Sequence, residues 1–187
     1  EVEYVIVNDD IVVENKEDRR GVAGTIFVHK TLGAMAENGA SLAEIKKAAD
    51  AIVEDIKSIG MATTPCTNPS DGKESFSLDD NELEMGIGIH GEEGIQKEDM
   101  KSADEIVREM ADRLLEEVTD TDSEYALMVN GMGATPEMEL LVINNSLADY
   151  LEEKNIKVAR TYVGDFMTSM DMAGFSITLY KVNDERL

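Results

Sequence analysis

The chain is expected to fold as an α/β layered domain, with helices packed on a mixed β-sheet. Segments whose apolar residues recur at helical spacing interleave with short β-branched or alternating runs from end to end. Glycine-containing loops follow three of the predicted strands. The 187 residues, 42% of them hydrophobic, are enough for one sizeable core. No internal repeat or long linker divides them, so residues 1–187 are expected to form a single domain.

Tyr4 to Val7 and Ile11 to Val13 are β-branched runs around Asn8-Asp9-Asp10, which reads as a strand, a turn and a short continuation. From Gly21 to Glu37 the spacing of Val22, Ala23, Ile26, Phe27, Thr31, Ala34 and Met35 predicts a buried helix. Ser41-Leu42-Ala43-Glu44 has the form of a capping box. The helix it opens carries Leu42, Ile45, Ala48, Ala49, Ile52, Val53 and Ile56 on one face and ends at Gly60, with a brief strand over Met61 to Thr64. Two prolines and a glycine between Pro65 and Lys73 predict a surface loop. Leu83, Met85, Ile87 and Ile89 alternate with Glu82, Glu84, Gly86 and Gly88, the period of a half-buried strand, and place His90 at its end.

Ser102 caps a predicted helix with Ile106, Val107, Met110, Leu114, Leu115 and Val118 along one stripe. Tyr125 to Val129 reads as a central strand, followed by a tight segment from Asn130 to Pro136. Thr135 before Pro136 predicts a cap with proline at the first helical position, opening a helix to Glu153 that buries Met138, Leu141, Val142, Leu147 and Leu151. Ile156 to Val163 and Phe175 to Val182 read as the last two strands, with a glycine-bounded loop between Gly164 and Gly174.

Forty Asp and Glu against seventeen Lys and Arg give a formal charge of -23, a field that repels nucleic acid and anionic lipid. No nucleic-acid or membrane partner is expected. Cys66 is the single cysteine, so no internal disulfide can form, which fits a reducing cytoplasmic location. There is no apolar run of membrane-spanning length and no signal-peptide pattern. The start at Glu1, directly before a strand-like run, suggests a piece of a longer polypeptide.

In α/β domains ligands commonly sit in loops at strand ends, so the loops at His90, at Asn130 to Pro136 and at Gly164 to Gly174 are the candidate positions. Gly131-x-Gly133 lacks the third glycine of a dinucleotide fingerprint, and no phosphate-cradling lysine motif occurs. No cofactor is expected on this chain. Cys66 has no neighbouring cation or base and reads as a structural thiol. The scattered methionines read as core filling. His29 lies in an apolar helix and reads as a packed core or interface side chain. For His90, glycine on one side lets the backbone approach a ligand, and Glu92 or Glu93 could orient the ring. On residue chemistry alone an exposed loop histidine and a catalytic one remain equally open.

Four blocks carry a family resemblance: Arg19 to Thr25 with Val28-His29-Lys30, "ELEMGIGIHGEEGI" from Glu82, "VNGMGATPEMEL" from Val129 and "TSMDMAGFSITL" from Thr168. In this order they resemble the second, C-terminal domain of the substrate-binding subunit of dihydroxyacetone kinase. The resemblance implies that His90 adds through Nε2 to the carbonyl carbon of dihydroxyacetone, giving a covalent hemiaminal. The family's Gly-Gly-Gly-Ser-Gly-His segment and acid/base aspartate belong to a preceding domain and have no equivalent here.

The phosphoryl donor would sit on a partner, a nucleotide-binding kinase subunit carrying ADP and recharged from phosphoenolpyruvate, or else on an ATP-using domain. The end at Leu187 fits the first arrangement. A homodimer is implied, and this piece alone would be inactive. The family also includes paralogues that bind dihydroxyacetone yet serve as co-activators of a transcription factor. Glu93 stands where the family usually has proline, and its charge would favour a protonated His90.

Overall fold

The computed structural model describes residues 1–90, 94–118, 120–183 and 186. Its described elements are α1 (Thr25–Glu37), α2 (Leu42–Glu54), β1 (Ile56–Ala62), β2 (Glu82–Met85), β3 (Gln96–Asp99), α3 (Ala103–Glu117), β4 (Glu124–Gly131), α4 (Glu137–Glu153), β5 (Lys157–Gly164) and β6 (Gly174–Val182). The strands form one mixed sheet in the order β3-β2-β1-β6-β4-β5. β4 and β5 pair in parallel through the α4 crossover, and the other pairs are antiparallel. The expected α/β architecture of helices on a mixed sheet is what the chain forms.

Strand alternation sends successive side chains to opposite faces, and each face has its own core. Ile59, Met61, Leu127, Val129, Ile177 and Leu179 meet α3 and α4 through Val107, Met110, Leu114, Leu140 and Leu147. Ile56, Ala126, Met128, Tyr180 and Val182 meet α1 and α2 through Phe27, Val28, Ile52 and Val53. The result is three layers, helices on either side of the sheet. The capping box expected at Ser41-Glu44 forms, and so does the Ser102 cap, which the structure completes as a box with Glu105.

Several elements depart from the sequence reading. Residues 1–9 form no regular element and join no sheet; only Asp10 bridges to Ser58. Val5 and Val7 rest on the α1 side of the core, while Val2, Tyr4 and Ile6 face outward. α2 stops at Glu54 instead of Gly60, and Ile56 to Gly60 are strand, because that stretch pairs along its length with β6. β2 ends at Met85, since Gly86 turns to φ +77°, and His90 lies five residues beyond the strand. β3 is a charged edge strand with no apolar signature.

Thr135 caps nothing: its Oγ1 donates to Gly174 O and accepts from Gly174 N, and α4 begins after Pro136 without a side-chain cap. On α4 the sheet selects Leu140, Ile143, Leu147, Tyr150 and Leu151, so Met138, Leu141 and Val142, expected inside, are exposed. This helix has apolar residues on more than one side, and its sequence does not settle which stripe is buried. His29, expected to pack, is exposed on α1. Cys66 is buried and donates from Sγ to Ser75 Oγ, as befits a structural thiol. Among the described residues no helix is long and apolar enough to cross a membrane.

Candidate functional site

His90 is carried by the connection between β2 and β3, whose two legs are anchored on the sheet. The outgoing leg leaves at Gly86, whose N-H donates to Gly60 O at 2.7 Å. A side chain at Gly86 would strike Val12 and Ile95 at 2.8–2.9 Å, so both its φ and its surroundings require glycine. The chain then crosses β1 so closely that a Cβ on Gly60 would lie 2.7 Å from Ile87 O. The return leg is tied where Gly94 N-H donates to Glu84 Oε1 and Ile95 N-H to Met85 O. His90 lies between these anchors along the chain and is exposed to solvent. Glu92 and Glu93, assigned above an orienting role and a charge effect on the ring, lie outside the described residues.

Beneath this loop Ile87 packs with Ala62, Cys66, Met132 and Met172, and Phe76 closes the cluster. Met132 belongs to the Asn130 to Pro136 loop and Met172 to the Gly164 to Gly174 loop. The three glycine-containing loops therefore do converge, which their spacing alone could not establish. Backbone bonds join the latter two, Ser169 N-H to Met132 O and Ala134 N-H to Met172 O. Gly133, at φ +121°, lets Met170 O approach to where a Cβ could not fit.

Asn130 is fully buried at the end of β4 and holds the third loop. Its Oδ1 accepts from Phe166 and Met167 N-H, and its Nδ2 donates to Met167 O and Ser176 Oγ. Asp171 accepts from Thr67 N-H at 2.7 Å, which draws in the loop that carries Cys66. Asn130, Glu84 and Asp171 were not singled out from the sequence. The signal available was a polar residue inside an apolar strand run, as in "LMVN" and "LEM".

A second polar group braces the outgoing leg. Arg20 binds Asp10 Oδ2 through Nη2 (2.6 Å) and Nε (2.9 Å) and reaches Gly86 O at 3.4 Å. Asp10 is almost wholly buried, and burial lifts its carboxyl above the ordinary range, opposed chiefly by the Arg20 guanidinium. Asp9 accepts from Val22 and Gly24 N-H at 2.8 Å, which fixes the entry to α1, and from Ser58 Oγ. Since Ser58 donates to Asp9, Thr178 Oγ1 must donate to Ser58 Oγ, 2.7 Å away. Burial also raises the Asp9 carboxyl, against these donors.

No three His, Cys, Asp or Glu side chains among the described residues are arranged to hold a metal ion. His29 and His90 stand on separate elements, α1 and the β2–β3 loop. The arrangement is thus an exposed imidazole on a loop with fixed ends, over a small apolar floor shared by neighbouring loops.

The fold is that of an α/β protein, a class in which ligands commonly sit in loops at strand ends, and the His90 loop is one such position. More specifically, the chain belongs to the Dak1 domain family, whose model matches residues 1–187. It is 49% identical over 189 residues to the dihydroxyacetone-binding subunit of the PTS-dependent dihydroxyacetone kinase of Lactococcus lactis, covering 99% of this chain and 57% of that protein. The chain thus spans little more than half the length of that relative.

Among solved structures, a dihydroxyacetone kinase operon co-activator superposes with a TM-score of 0.91 at 38% identity, over 97% of this chain and 57% of that one. The dihydroxyacetone kinase of C. freundii superposes at 0.88 and 30% identity, over 100% of this chain and 34% of that one.

Proposed function

We propose that this chain supplies the ketone-capturing part of a dihydroxyacetone kinase, with His90 as the nucleophile. The observation that carries the reading is the exposed imidazole on a loop anchored at both ends, in a chain 49% identical to a dihydroxyacetone-binding subunit.

Neutral imidazole protonated on Nδ1 attacks through Nε2. The new C–N bond forms at the carbonyl carbon as the C=O π bond breaks, and the Nδ1 proton passes to the resulting alkoxide. The product is a neutral hemiaminal. Covalent capture distinguishes a short ketone from glycerol, which has no carbonyl. A terminal hydroxyl of the tethered ketone then receives the phosphoryl group, giving dihydroxyacetone phosphate. The donor is carried by a nucleotide-binding partner, as ADP recharged from phosphoenolpyruvate or as ATP. The acid/base groups for that transfer come from outside these residues. We place the assembly in the cytoplasm as a homodimer.

A second reading is a dihydroxyacetone-sensing co-activator without kinase activity, favoured by the superposition on an operon co-activator at a TM-score of 0.91. The test is incubation of the full-length protein with dihydroxyacetone, followed by intact-mass or crystallographic detection of an adduct on His90, with His90→Ala as control. An adduct on the unmutated protein alone is expected, and its absence would sink the tethering mechanism. Adding the partner and phosphoryl donor separates the readings, since product formation marks a kinase and an adduct without product marks a sensor.

A further inference from the structure

We propose that Glu84 is the positioning residue of the His90 loop, a role that rests for its catalytic meaning on His90 being the capturing nucleophile. Glu84 stands on β2 and is 3% exposed. Its cross-strand neighbour Lys97 turns its ammonium to Ser77 O, to which Nζ donates. One carboxylate oxygen accepts from Gly94 N-H, and the other, Oε2, is buried without a partner among the described residues. The side chain borders a cavity of about 590 Å³ shared with Phe76, Gly94 and Lys97.

Burying a carboxylate with only one of its oxygens bonded among the described residues is costly, and an apolar side chain would fill a strand position at lower cost. What Glu84 adds is the tie to Gly94. That tie is close: a Cβ on Gly94 would run into Met85 O and lie 2.6 Å from Glu84 Cγ. With Ile95 N-H on Met85 O, the return leg is registered against residues 84 and 85, while the outgoing leg is held at Gly86. His90 is four residues from Gly86 and four from Gly94, so these anchors set the span over which the imidazole is presented.

The test uses the full-length protein with Glu84→Gln and Glu84→Ala. Amide exchange at Gly94 is measured without ligand, and His90 adduct formation is measured with carbonyl-labelled dihydroxyacetone by NMR. Glutamine keeps a carbonyl acceptor, so Gly94 protection and capture should stay within about threefold of the unmutated protein. Alanine should lose the protection and weaken capture roughly tenfold or more, the scale of one buried hydrogen bond.

A folded alanine variant with full Gly94 protection and unchanged capture overturns the proposal. Should alanine fail to fold, Glu84→Met, which fills the strand position without an acceptor, replaces it: lost Gly94 protection with weakened capture supports the role, and full protection with unchanged capture refutes it. Unmutated protein with a protected Gly94 but no adduct rejects capture by His90 and leaves the tie standing; an adduct with an unprotected Gly94 rejects the tie.

Discussion

Replacing Gly60 by alanine is expected to push the His90 loop off the sheet. Gly60 sits in the middle of β1 without positive φ, so alanine brings no backbone strain and its cost is one of contact. Its Cβ would lie 2.7 Å from Ile87 O and 2.8 Å from Met132 Cε. The methionine terminus can rotate away, but Ile87 O is main chain. Opening that contact from 2.7 Å to an ordinary 3.4 Å moves the crossing segment by about 0.7 Å.

Overpacking on this scale costs about 1–3 kcal/mol, which for a chain of this size lowers the melting temperature by roughly 3–10 °C. Misplacing a reacting group by such a distance also slows its reaction, here by roughly tenfold or more. Calorimetry and the rate of His90 adduct formation report the two effects separately. Gly33→Ala is the control, because a Cβ at that position on α1 would meet nothing within 4 Å; it should stabilise by about 1 kcal/mol. A Gly60→Ala protein with unchanged melting temperature and adduct rate would refute the proposed contact between sheet and loop.

Asn130→Ala should cost about 2–4 kcal/mol, because it leaves the Phe166 and Met167 amides and the Met167 carbonyl without their buried partner, and amide exchange should rise at both residues. Asp9→Asn should cost about 1–3 kcal/mol, since the amide nitrogen cannot accept from the donors around it. Burial raises the folded Asp9 carboxyl above its ordinary 3.8, so its stabilising contribution is full below that value and falls as pH rises through the folded one; the deficit of the asparagine variant should shrink over that rise in denaturant melts.

Glu117→Gln has the opposite sign. Its paired hydrogen bonds with nearly buried Arg19 hold the Glu117 carboxyl below 4.5, so the contribution is present above that value and is lost as pH falls through the folded one. The variant should be about 1–3 kcal/mol less stable at neutral pH and converge on the parent protein in acid.

Elements specified by local chemistry were legible in the chain. Ser41-Glu44 and Ser102-Glu105 close their capping boxes within four residues, and the apolar run at Tyr125 to Val129 has the composition of a buried strand. Misreadings fell where a distant partner decides. Tyr4 to Val7 has strand residues but no strand to pair with, whereas Gln96 to Asp99 has none of the apolar signal and pairs with β2. Ile56 fits a helical stripe as well as a strand, and pairing with β6 makes it strand. Thr135 has the chemistry of a cap, but Gly174 offers its hydroxyl a better partner across the sheet.

His90 could be read directly from "GIGIHG", because a histidine beside glycine after an alternating run is a local pattern, but the turn at Gly86 could not, since the alternation runs through it. The helices and their caps, whose hydrogen bonds close within a few residues, could also be read. The floor beneath the loop could not, for Ile87, Met132 and Met172 come from three separate connections and meet only when β1, β4 and β6 lie side by side. Nor could the roles of Gly60, Glu84 and Asn130, since each depends on which atom of a distant segment arrives against it. Spacing along a chain encodes periodicity and caps; it does not encode the approach of segments brought together by the sheet, and that approach anchors the histidine.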